Sequence, residues 1–415
     1  MRPVWFGTDR RKAPTRDVLV LQGGLGQGCQ RKYWDVHKPI CRRVTRRATS
    51  AATEGLILAT LPIPSPSLKG DTTQCILYPG LKDRILSQPG FPQSIPEPTS
   101  PAHRLGSVPG AGIGMYATRA IAAGELIITE RPLLVAPGTY NSPRQRDDTI
   151  AAALERMSED DRAAYTALSN PRDAAVPPLF AIWKTNNYDQ THDLGPASSE
   201  MAADAQHPMT IIGKLTSRIN HSCSPNATIA WHVLSLALFV TAVCDIPAGA
   251  EISMHYCEPL LPSAERQQFL RANYGFTCAC ADPAVSDVRR AGIMQHGYFL
   301  EDRAATLARW IGDATLRDDH PTEPLRAMLA LIAEEGVQDA EIHPMALKLL
   351  VDVYAACGDA EKLAEYAAWF AVAGASAIYV PLRRRQEMVR DLSRPGLYPF
   401  WNKRVEYRGP NAARG

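Results

Sequence analysis

The alternation of apolar and polar positions separates strand-like from helix-like stretches of the chain. Residues 110–137 and 209–256 combine glycines, β-branched runs and short turns, as is typical of small twisted strands. Between them, residues 144–170 carry apolar side chains at three-to-four spacing and predict helix. After about residue 297 the pattern predicts four helices, over residues 303–312, 324–335, 344–356 and 360–373. The chain is therefore predicted to be α+β, with a β-rich domain followed by an all-α domain of tetratricopeptide-like helical hairpins.

One charge-free stretch, residues 227–244, is long enough to require a membrane test. It is rich in Val, Ile, Thr, Trp and Phe, carries His232, and is flanked by turn-forming residues. These features predict two short strands, over residues 228–233 and 237–243, instead of a membrane-spanning helix. We therefore expect no membrane segment, and the first twenty residues lack the apolar core of a secretory signal.

Composition and charge suggest how the chain is divided. The 415 residues are 45% apolar and 21% charged, which is ordinary for globular domains. Residues 1–50 carry 12 Lys and Arg against three Asp, a net charge of +9 in a chain whose total is +2. We interpret residues 1–59 as a basic N-terminal arm. Its positive charge is typical of a solvated tail, and we do not expect it to bind nucleic acid directly. Ten prolines between residues 60 and 110 predict a linker over residues 60–105.

A polar elbow, SRINHSCSPN (217–226), lies within the second strand-like region. Its adjacent Asn and His need hydrogen-bond partners or solvent, and Ser-Pro-Asn favours a tight turn. Two other segments carry unusual chemistry. In GIGMYATRAI (112–121), glycine permits close approach to the backbone because it has no Cβ atom. In GAEISMHYCEP (249–259), Tyr256 stands at the end of a strand-like run.

In this order the three segments resemble the SET-domain family of protein lysine methyltransferases. The resemblance extends to YGFTCAC (274–280) and covers residues 106–283. KTNNY (184–188) and a helical insert at about residues 138–208 are similar to the SET-and-MYND branch and its fungal relatives. The resemblance implies a β-rich SET fold with a pseudoknot, S-adenosylmethionine as cofactor, and a helical C-terminal domain at residues 284–415.

The resemblance also implies roles for individual residues. It assigns cofactor binding to Gly112, Gly114, Met115, Tyr116, Asn186, Ser217, Asn220 and His221. Tyr256 would be the catalytic tyrosine, and Tyr256 and Phe276 would line the channel for the substrate lysine. Methyl transfer needs a neutral amine, and a narrow apolar channel favours that form. For each residue a structural role stays open: a turn glycine, a packed aromatic ring, or a histidine satisfied within the core.

The cysteines near the elbow depart from the family pattern. The family's zinc site beside the lysine channel would use Cys223, Cys278 and Cys280, but its remaining cysteine position is Pro283. Structural zinc takes four ligands. Two alternatives stay open: a zinc ion completed by Asp282 or water, and a set of small, reduced cysteines without metal.

A second cysteine pattern lies in the basic arm. CQRKYWDVHKPIC (29–41) resembles the end of a MYND zinc finger, but the five preceding cysteines of that finger are absent. Cys29, His37 and Cys41 therefore predict a degenerate remnant instead of a folded finger.

Together these features predict an S-adenosylmethionine-dependent protein-lysine N-methyltransferase that acts on histones or other proteins. The alternative is a SET scaffold of weak or no activity that binds protein partners through its C-terminal helices, and the incomplete zinc set motivates it. We expect a monomer that accepts a lysine-containing peptide or histone tail, located in the nucleus or the cytoplasm.

Overall fold

The computed structural model describes residues 55–62, 72–190, 209–279, 283–300, 302–313, 315–377 and 382–408. Twelve β-strands lie in these residues: β1 (Ile57–Leu61), β2 (Thr73–Leu77), β3 (His103–Val108), β4 (Gly112–Ala117), β5 (Leu126–Glu130), β6 (Leu134–Pro137), β7 (Tyr188–Gln190), β8 (Met209–Ile212), β9 (Asn220–His221), β10 (Ala227–His232), β11 (Ala237–Ala242) and β12 (Glu251–Met254). Twelve α-helices lie there too: α1 (Pro79–Leu86), α2 (Pro143–Leu154), α3 (Glu159–Thr166), α4 (Pro178–Asn186), α5 (Ser263–Tyr274), α6 (Pro283–His296), α7 (Arg303–Gly312), α8 (Thr322–Glu335), α9 (Ile342–Cys357), α10 (Ala360–Ala377), α11 (Leu382–Leu392) and α12 (Lys403–Arg408). The described residues do not include 1–54, with Cys29, His37 and Cys41, nor Cys280.

The strands form three small sheets, as the β-rich pattern predicts. Their orders are β1-β2-β6-β8-β7, β10-β11-β5 and β3-β4-β12-β9. β10 and β11 pair as a hairpin, with Ala227 opposite Ala242, so the two strands predicted from the charge-free stretch are confirmed. β11 is the central strand of its sheet and is buried at all six positions, which explains why this stretch carries no charge. Within the described ranges, none of the helices is long and apolar enough to cross a membrane.

The interpretation of residues 60–105 as a linker is wrong for residues 73–86, which form β2 and α1. β2 pairs with β1 and β6, and all five of its residues are buried. α1 follows directly, and its Leu81 and Ile85 join an apolar cluster that also contains Leu238 of β11. Prolines here mark the ends of elements: Pro79 is the first residue of α1, where a missing N–H is not needed. Proline content alone therefore could not reveal this packed layer.

Three helices lie in the described part of the predicted insert. The helix expected over residues 144–170 is two helices, α2 and α3, because the chain is capped again at Ser158. The hydroxyls of Ser142 and Ser158 each accept a backbone N–H of the first turn, at 3.1 Å. α4 then ends at Asn186 and leads into β7. Residues 191–208 lie outside the described part of the chain.

The described residues of the C-terminal region form helices and no strands, as the sequence predicts. α7, α8, α9 and α10 match the four predicted helices to within a few residues. Gly336 and Gly358 end α8 and α9 in the left-handed conformation, with φ of 63° and 72°, which explains the breaks in the pattern. The inner faces form one apolar cluster around Trp310, Leu325 and Leu350. α10 also packs against β10, which joins the helices to the sheets.

Candidate active site

One strand brings together the three segments singled out in the sequence. β12 pairs antiparallel with β4, with Ile252 opposite Met115. On its other side β12 pairs in parallel with β9, where Ser253 lies opposite Asn220 and Met254 opposite His221. Tyr256 follows two residues after β12 ends. The glycine strand, the elbow and the tyrosine therefore meet at one end of a four-stranded sheet, although more than one hundred residues separate the first from the second.

Gly114 is required where the glycine strand passes the elbow. A Cβ atom on Gly114 would lie 2.7 Å from both Asn220 Nδ2 and Glu251 Oε1. These two atoms already form a hydrogen bond in which Asn220 Nδ2 donates, at 2.8 Å. Gly112 differs: its φ is 76°, and nothing lies within 4 Å of the place that a Cβ atom would occupy. The backbone beside Gly112 is therefore open to a ligand, whereas Gly114 permits close packing.

Asn186 and Ser217 also meet at the elbow. Ser217 lies in a short 3-10 turn (Thr216–Arg218), and its hydroxyl donates to the backbone carbonyl of Asn186 at 3.2 Å. The side-chain Nδ2 of Asn186 points away, donating to the carbonyls of Ser169 and Ile182 at 2.7 and 2.8 Å. The backbone of Asn186 thus lies near the elbow. Its side-chain amide bonds instead to carbonyls of its own helix and of the chain before that helix.

Met115 and Tyr116 are arranged differently from the other predicted cofactor residues. The Met115 side chain is fully buried in the apolar core with Ile252. The Tyr116 hydroxyl donates to the carbonyl of Ser107 on β3, at 3.2 Å, and the Arg104 guanidinium stacks on its ring. Both side chains thus have packing or hydrogen-bond partners within the protein.

Tyr256 is fixed by hydrogen bonds at its backbone and at its side-chain hydroxyl. Its backbone N–H donates to His221 Nδ1 at 3.0 Å, and its hydroxyl donates to the carbonyl of Ile219 at 2.7 Å. Burial is the main cause that raises the pKa of Tyr256 well above its usual value. The hydroxyl is therefore a neutral phenol near pH 7, able to form hydrogen bonds but not to act as a phenolate base.

Aromatic rings surround Tyr256. Its ring centroid lies 4.7 Å from that of Tyr274, 5.4 Å from His221 and 6.5 Å from Phe276. Phe276, predicted as a channel residue, is thus part of this group, and its ring lies 5.9 Å from His221. Tyr274 was not predicted from the sequence, although its position two residues before Phe276 was a usable signal. The cluster forms a surface of low polarity around one hydroxyl.

His221 is neutral, and its tautomer is determined by its partners. Burial first, and then the positive charges of His255, Arg266 and Arg290, lower the pKa of His221 to about 4. Since Nδ1 accepts the Tyr256 N–H, the ring proton must lie on Nε2. Nε2 lies 3.3 Å from Cys223 Sγ, so the imidazole donates to this sulfur.

Two of the cysteines predicted as zinc ligands lie together beside His221. The ligand atoms of His221, Cys223 and Cys278 lie within 4.8 Å of one another. Nε2 of His221 carries a proton because Nδ1 accepts the Tyr256 N–H, so this nitrogen has no lone pair for a metal. Cys223 and Cys278 are therefore the sulfur ligands that the described residues offer. Cys280, the remaining predicted ligand, lies outside the described residues.

The far end of the elbow is held by the C-terminal helices. The guanidinium of Arg290, on α6, is only 2% exposed and donates to the carbonyls of Cys223, at 2.8 Å, and Pro259. It also donates to Glu335 Oε2, on α8, at 3.0 Å. The Ser224 hydroxyl donates to the backbone carbonyl of the same Glu335 at 2.5 Å. Residues beyond the SET-like segment thus contact both the elbow and the chain that follows Tyr256.

A second contact from the helices involves the residue before Tyr256. His255 Nδ1 bonds to the carboxylate of Asp339, whose side chain is fully buried between α8 and α9. Burial alone would lower the pKa of His255. The hydrogen bond and charge of Asp339, aided by Glu258, outweigh this effect, so the pKa is raised. The helical region therefore contacts the chain on both sides of Tyr256.

Comparison with known proteins agrees with this geometry. The SET domain family matches residues 112–257. Histone-lysine N-methyltransferase set5 of Schizosaccharomyces pombe is 28% identical over 45% of this chain and 51% of its own. Histone-lysine N-methyltransferase SET5 of Vanderwaltozyma polyspora is 33% identical over 26% of this chain and 23% of its own. Protein-lysine N-trimethyltransferase SMYD5 of Gallus gallus is 42% identical over 16% of this chain and 16% of its own.

These matches span about half or less of the relatives' own lengths. The family match begins at the open glycine, Gly112, and ends one residue after Tyr256, so it contains the whole junction of β4, β9 and β12. The resemblance drawn from the sequence is therefore confirmed: residues 112–257 match the SET domain family, and the chain is similar to the SET5 and SMYD lysine methyltransferases.

Proposed function

We propose that this chain is an S-adenosylmethionine-dependent protein-lysine N-methyltransferase. The observation that carries the proposal is the position of β12, which joins the glycine strand to the elbow and leads into Tyr256. The names of the SET5 relatives support histones as one class of substrate. A protein with such substrates would act in the nucleus or the cytoplasm.

The cofactor site that we propose is smaller than the one expected from sequence. S-adenosylmethionine supplies an electrophilic methyl group on a sulfonium sulfur. We assign its binding to the open backbone at Gly112 and to the backbone carbonyl of Asn186. The elbow residues Ser217, Asn220 and His221 complete the site. Gly114 contributes by allowing β4 to approach Asn220 closely. We leave out the side chains of Met115 and Tyr116 because they are committed elsewhere.

The chain's own groups explain how a lysine amine could be prepared for attack. The amine must be neutral, because an ammonium ion has no lone pair, and the aromatic surface around Tyr256 disfavours the charged form. The Tyr256 hydroxyl donates its proton to the Ile219 carbonyl in a hydrogen bond, so its oxygen can accept an amine N–H and orient the lone pair. S-adenosylmethionine held at the elbow would supply the methyl group to this lone pair: the carbon–sulfur bond would break as the nitrogen–carbon bond formed, and the positive charge would pass from sulfur to nitrogen.

The second candidate is a SET scaffold that binds proteins without transferring methyl groups. The observation that favours it is Pro283, which stands where the zinc site expected beside the lysine channel would have its last cysteine. In this case the helices α6–α12 would carry partner binding, and Tyr256 would be a packing residue.

Substitution of Tyr256 by Phe distinguishes the two candidates. For an enzyme, Tyr256→Phe should lower the rate of S-adenosylhomocysteine production on core histones roughly 100-fold or more, because the orienting oxygen is lost. Tyr407→Phe removes an exposed hydroxyl on α12 and is the matched control, with an unchanged rate. Equal rates for wild type and Tyr256→Phe would contradict the assigned role of this tyrosine.

A further inference from the structure

A carboxylate from another strand reaches the turn that precedes the elbow. We call residues 213–216 the pre-elbow turn. Glu130, the last residue of β5, lies more than eighty positions earlier in the chain. Its Oε2 accepts the backbone N–H groups of Lys214, at 3.1 Å, and Leu215, at 2.8 Å. Its Oε1 accepts the backbone N–H of Thr216, at 2.7 Å, and the Thr216 hydroxyl, at 2.6 Å.

These four donors would otherwise lack a partner within the turn. The first N–H groups of a 3-10 or α-helical turn have no carbonyl ahead of them, and here the turn Thr216–Arg218 begins at the bonded residues. A carboxylate satisfies several N–H groups at once, and each such bond is stronger than a neutral one. Glu130 therefore acts as a cap supplied from a distant strand.

The geometry around the carboxylate leaves no free space. A Cβ atom on Gly213 would lie 1.9 Å from Thr216 Oγ1 and 2.1 Å from Glu130 Oε1. Only glycine fits at this position without movement of the bonded groups. The carboxylate and the turn are thus closely packed against each other.

The opposite side of the pre-elbow turn is also fixed. The Tyr188 hydroxyl donates to the carbonyl of Thr216 at 2.6 Å, so the N–H, hydroxyl and carbonyl of this residue are all bonded. Thr216 is fully buried. The next residue, Ser217, and then Asn220 and His221, are the elbow residues assigned above to the cofactor.

Burial and hydrogen bonding have opposite effects on the Glu130 carboxyl, and burial is the larger, so its pKa is raised. Burial raises the pKa of Glu130, while the bonds from Thr216, Leu215 and Lys214 act against that rise. The donors thus offset part of the cost of keeping a carboxylate at this place. A glutamine would instead direct an NH₂ group at two of the donors.

We propose that Glu130 is a positioning residue for the cofactor site: it fixes the pre-elbow turn and thereby the geometry of Ser217, Asn220 and His221. The inference rests on the proposed function, since it assumes that these elbow residues bind the cofactor. Glu130 touches no reacting group itself, and its effect is expected on cofactor affinity and not on the binding of the lysine peptide.

The test uses the full chain and three substitutions with one surface control. Glu130→Gln removes the charge, Thr216→Val removes only the hydroxyl donor, and Thr216→Ser keeps it. Glu125→Gln is the control: it removes a carboxylate that precedes the same strand but pairs at the surface with Arg119. Calorimetry with S-adenosylhomocysteine measures affinity, and amide hydrogen exchange reports the pre-elbow turn without any ligand.

Glu130→Gln should weaken S-adenosylhomocysteine binding about tenfold or more, because bonds to a charged group are lost. Thr216→Val should weaken it several-fold, whereas Thr216→Ser and Glu125→Gln should match the wild type. In steady-state assays the KM for S-adenosylmethionine should rise while the KM for the peptide stays constant. Amides of residues 214–220 should exchange faster in Glu130→Gln, and those of β12 should not.

Wild-type affinity in both Glu130→Gln and Thr216→Val would overturn the inference while leaving the proposed function intact. If Glu130→Gln does not fold, the pair Thr216→Val and Thr216→Ser decides, since equal affinities would contradict the positioning role. If the wild type does not bind, the proposed function fails instead. Hydrogen exchange then still shows whether Glu130 fixes the pre-elbow turn. Unchanged exchange in Glu130→Gln would reject this structural role as well.

Discussion

The two ends of the elbow are held by opposite chemistry from different parts of the molecule. At the start, the negative carboxylate of Glu130, within the sheets, accepts backbone N–H groups. At the end, the positive guanidinium of Arg290, on a C-terminal helix, donates to the carbonyl of Cys223. The start is thus fixed by the SET segment alone, whereas the end depends on helices outside residues 112–257. The comparison indicates that the helical region is part of the candidate active site and not only an attachment to it.

The largest effect is expected at the end of the elbow. Arg290→Ala would leave the buried Glu335 carboxylate without its closest cationic partner and remove a donor from Cys223 and Pro259. The free energy of unfolding should fall by about 3–5 kcal/mol, as is typical when one partner of a buried pair is removed. Urea denaturation of the full chain measures this change.

A surface arginine offers a control for this prediction. The Arg144 side chain is 85% exposed and pairs with Asp148 at 3.9 Å. Arg144→Ala should cost only about 0–1 kcal/mol, because water screens the pair. If both variants lose the same stability, the distinction between a buried clamp and a surface pair is wrong.

A smaller effect is expected at the start of the elbow. Gly213→Ala would force a Cβ against Thr216 and Glu130. Overpacking of this kind costs about 1–3 kcal/mol, and here it should also weaken S-adenosylhomocysteine binding. Gly312→Ala is the matched control, since nothing lies within 4 Å of its Cβ position at the end of α7. Normal binding and stability of Gly213→Ala would show that the turn is not tightly fitted.

The smallest effect is a pH dependence of the contact between Asp339 and His255. Because the pKa of His255 is raised in the folded protein, the folded state binds this proton more tightly than the unfolded state. The stabilisation is complete below about pH 6.5, the usual pKa of histidine, and is lost as the pH rises through the raised pKa. Asp339→Asn should therefore lower the Tm more at mildly acidic than at mildly alkaline pH.

Asp161→Asn is the comparison for this pH test. It breaks a surface pair with Lys214, at 3.2 Å, in which no histidine takes part. Its change in Tm should be small and independent of pH. A pH-independent effect of Asp339→Asn would contradict the raised pKa of His255.

Local pattern predicted those parts of the molecule whose structure depends on nearby residues. The hairpin β10–β11 and the helices α7–α10 follow from short-range apolar spacing and from breaks such as Gly336 and Gly358. The elbow and Tyr256 were found because their unusual residues lie close together in the sequence. The buried strand β2 was missed because it lies in a proline-rich segment. The local pattern there does not reveal that β2 pairs with β1 and β6.

The residues that hold the site were not predictable in the same way. Glu130 and Thr216 are far apart in the chain, as are Arg290 and Cys223, and only the folded sheets and helices bring each pair together. Zinc binding was left open from cysteine spacing. The tautomer of His221, which excludes Nε2 as a ligand, depends on the Tyr256 N–H and is visible only in three dimensions.

The most direct test of the central claim is calorimetric titration of S-adenosylmethionine into the full chain, repeated with Asn220→Ala and His221→Ala. The account predicts micromolar-range binding by the wild type and a loss of at least about tenfold in affinity in each variant, because hydrogen bonds and packing at the elbow are removed. Binding by both variants with wild-type affinity, or no binding by a folded wild-type protein, would contradict the assignment of the elbow as the cofactor site.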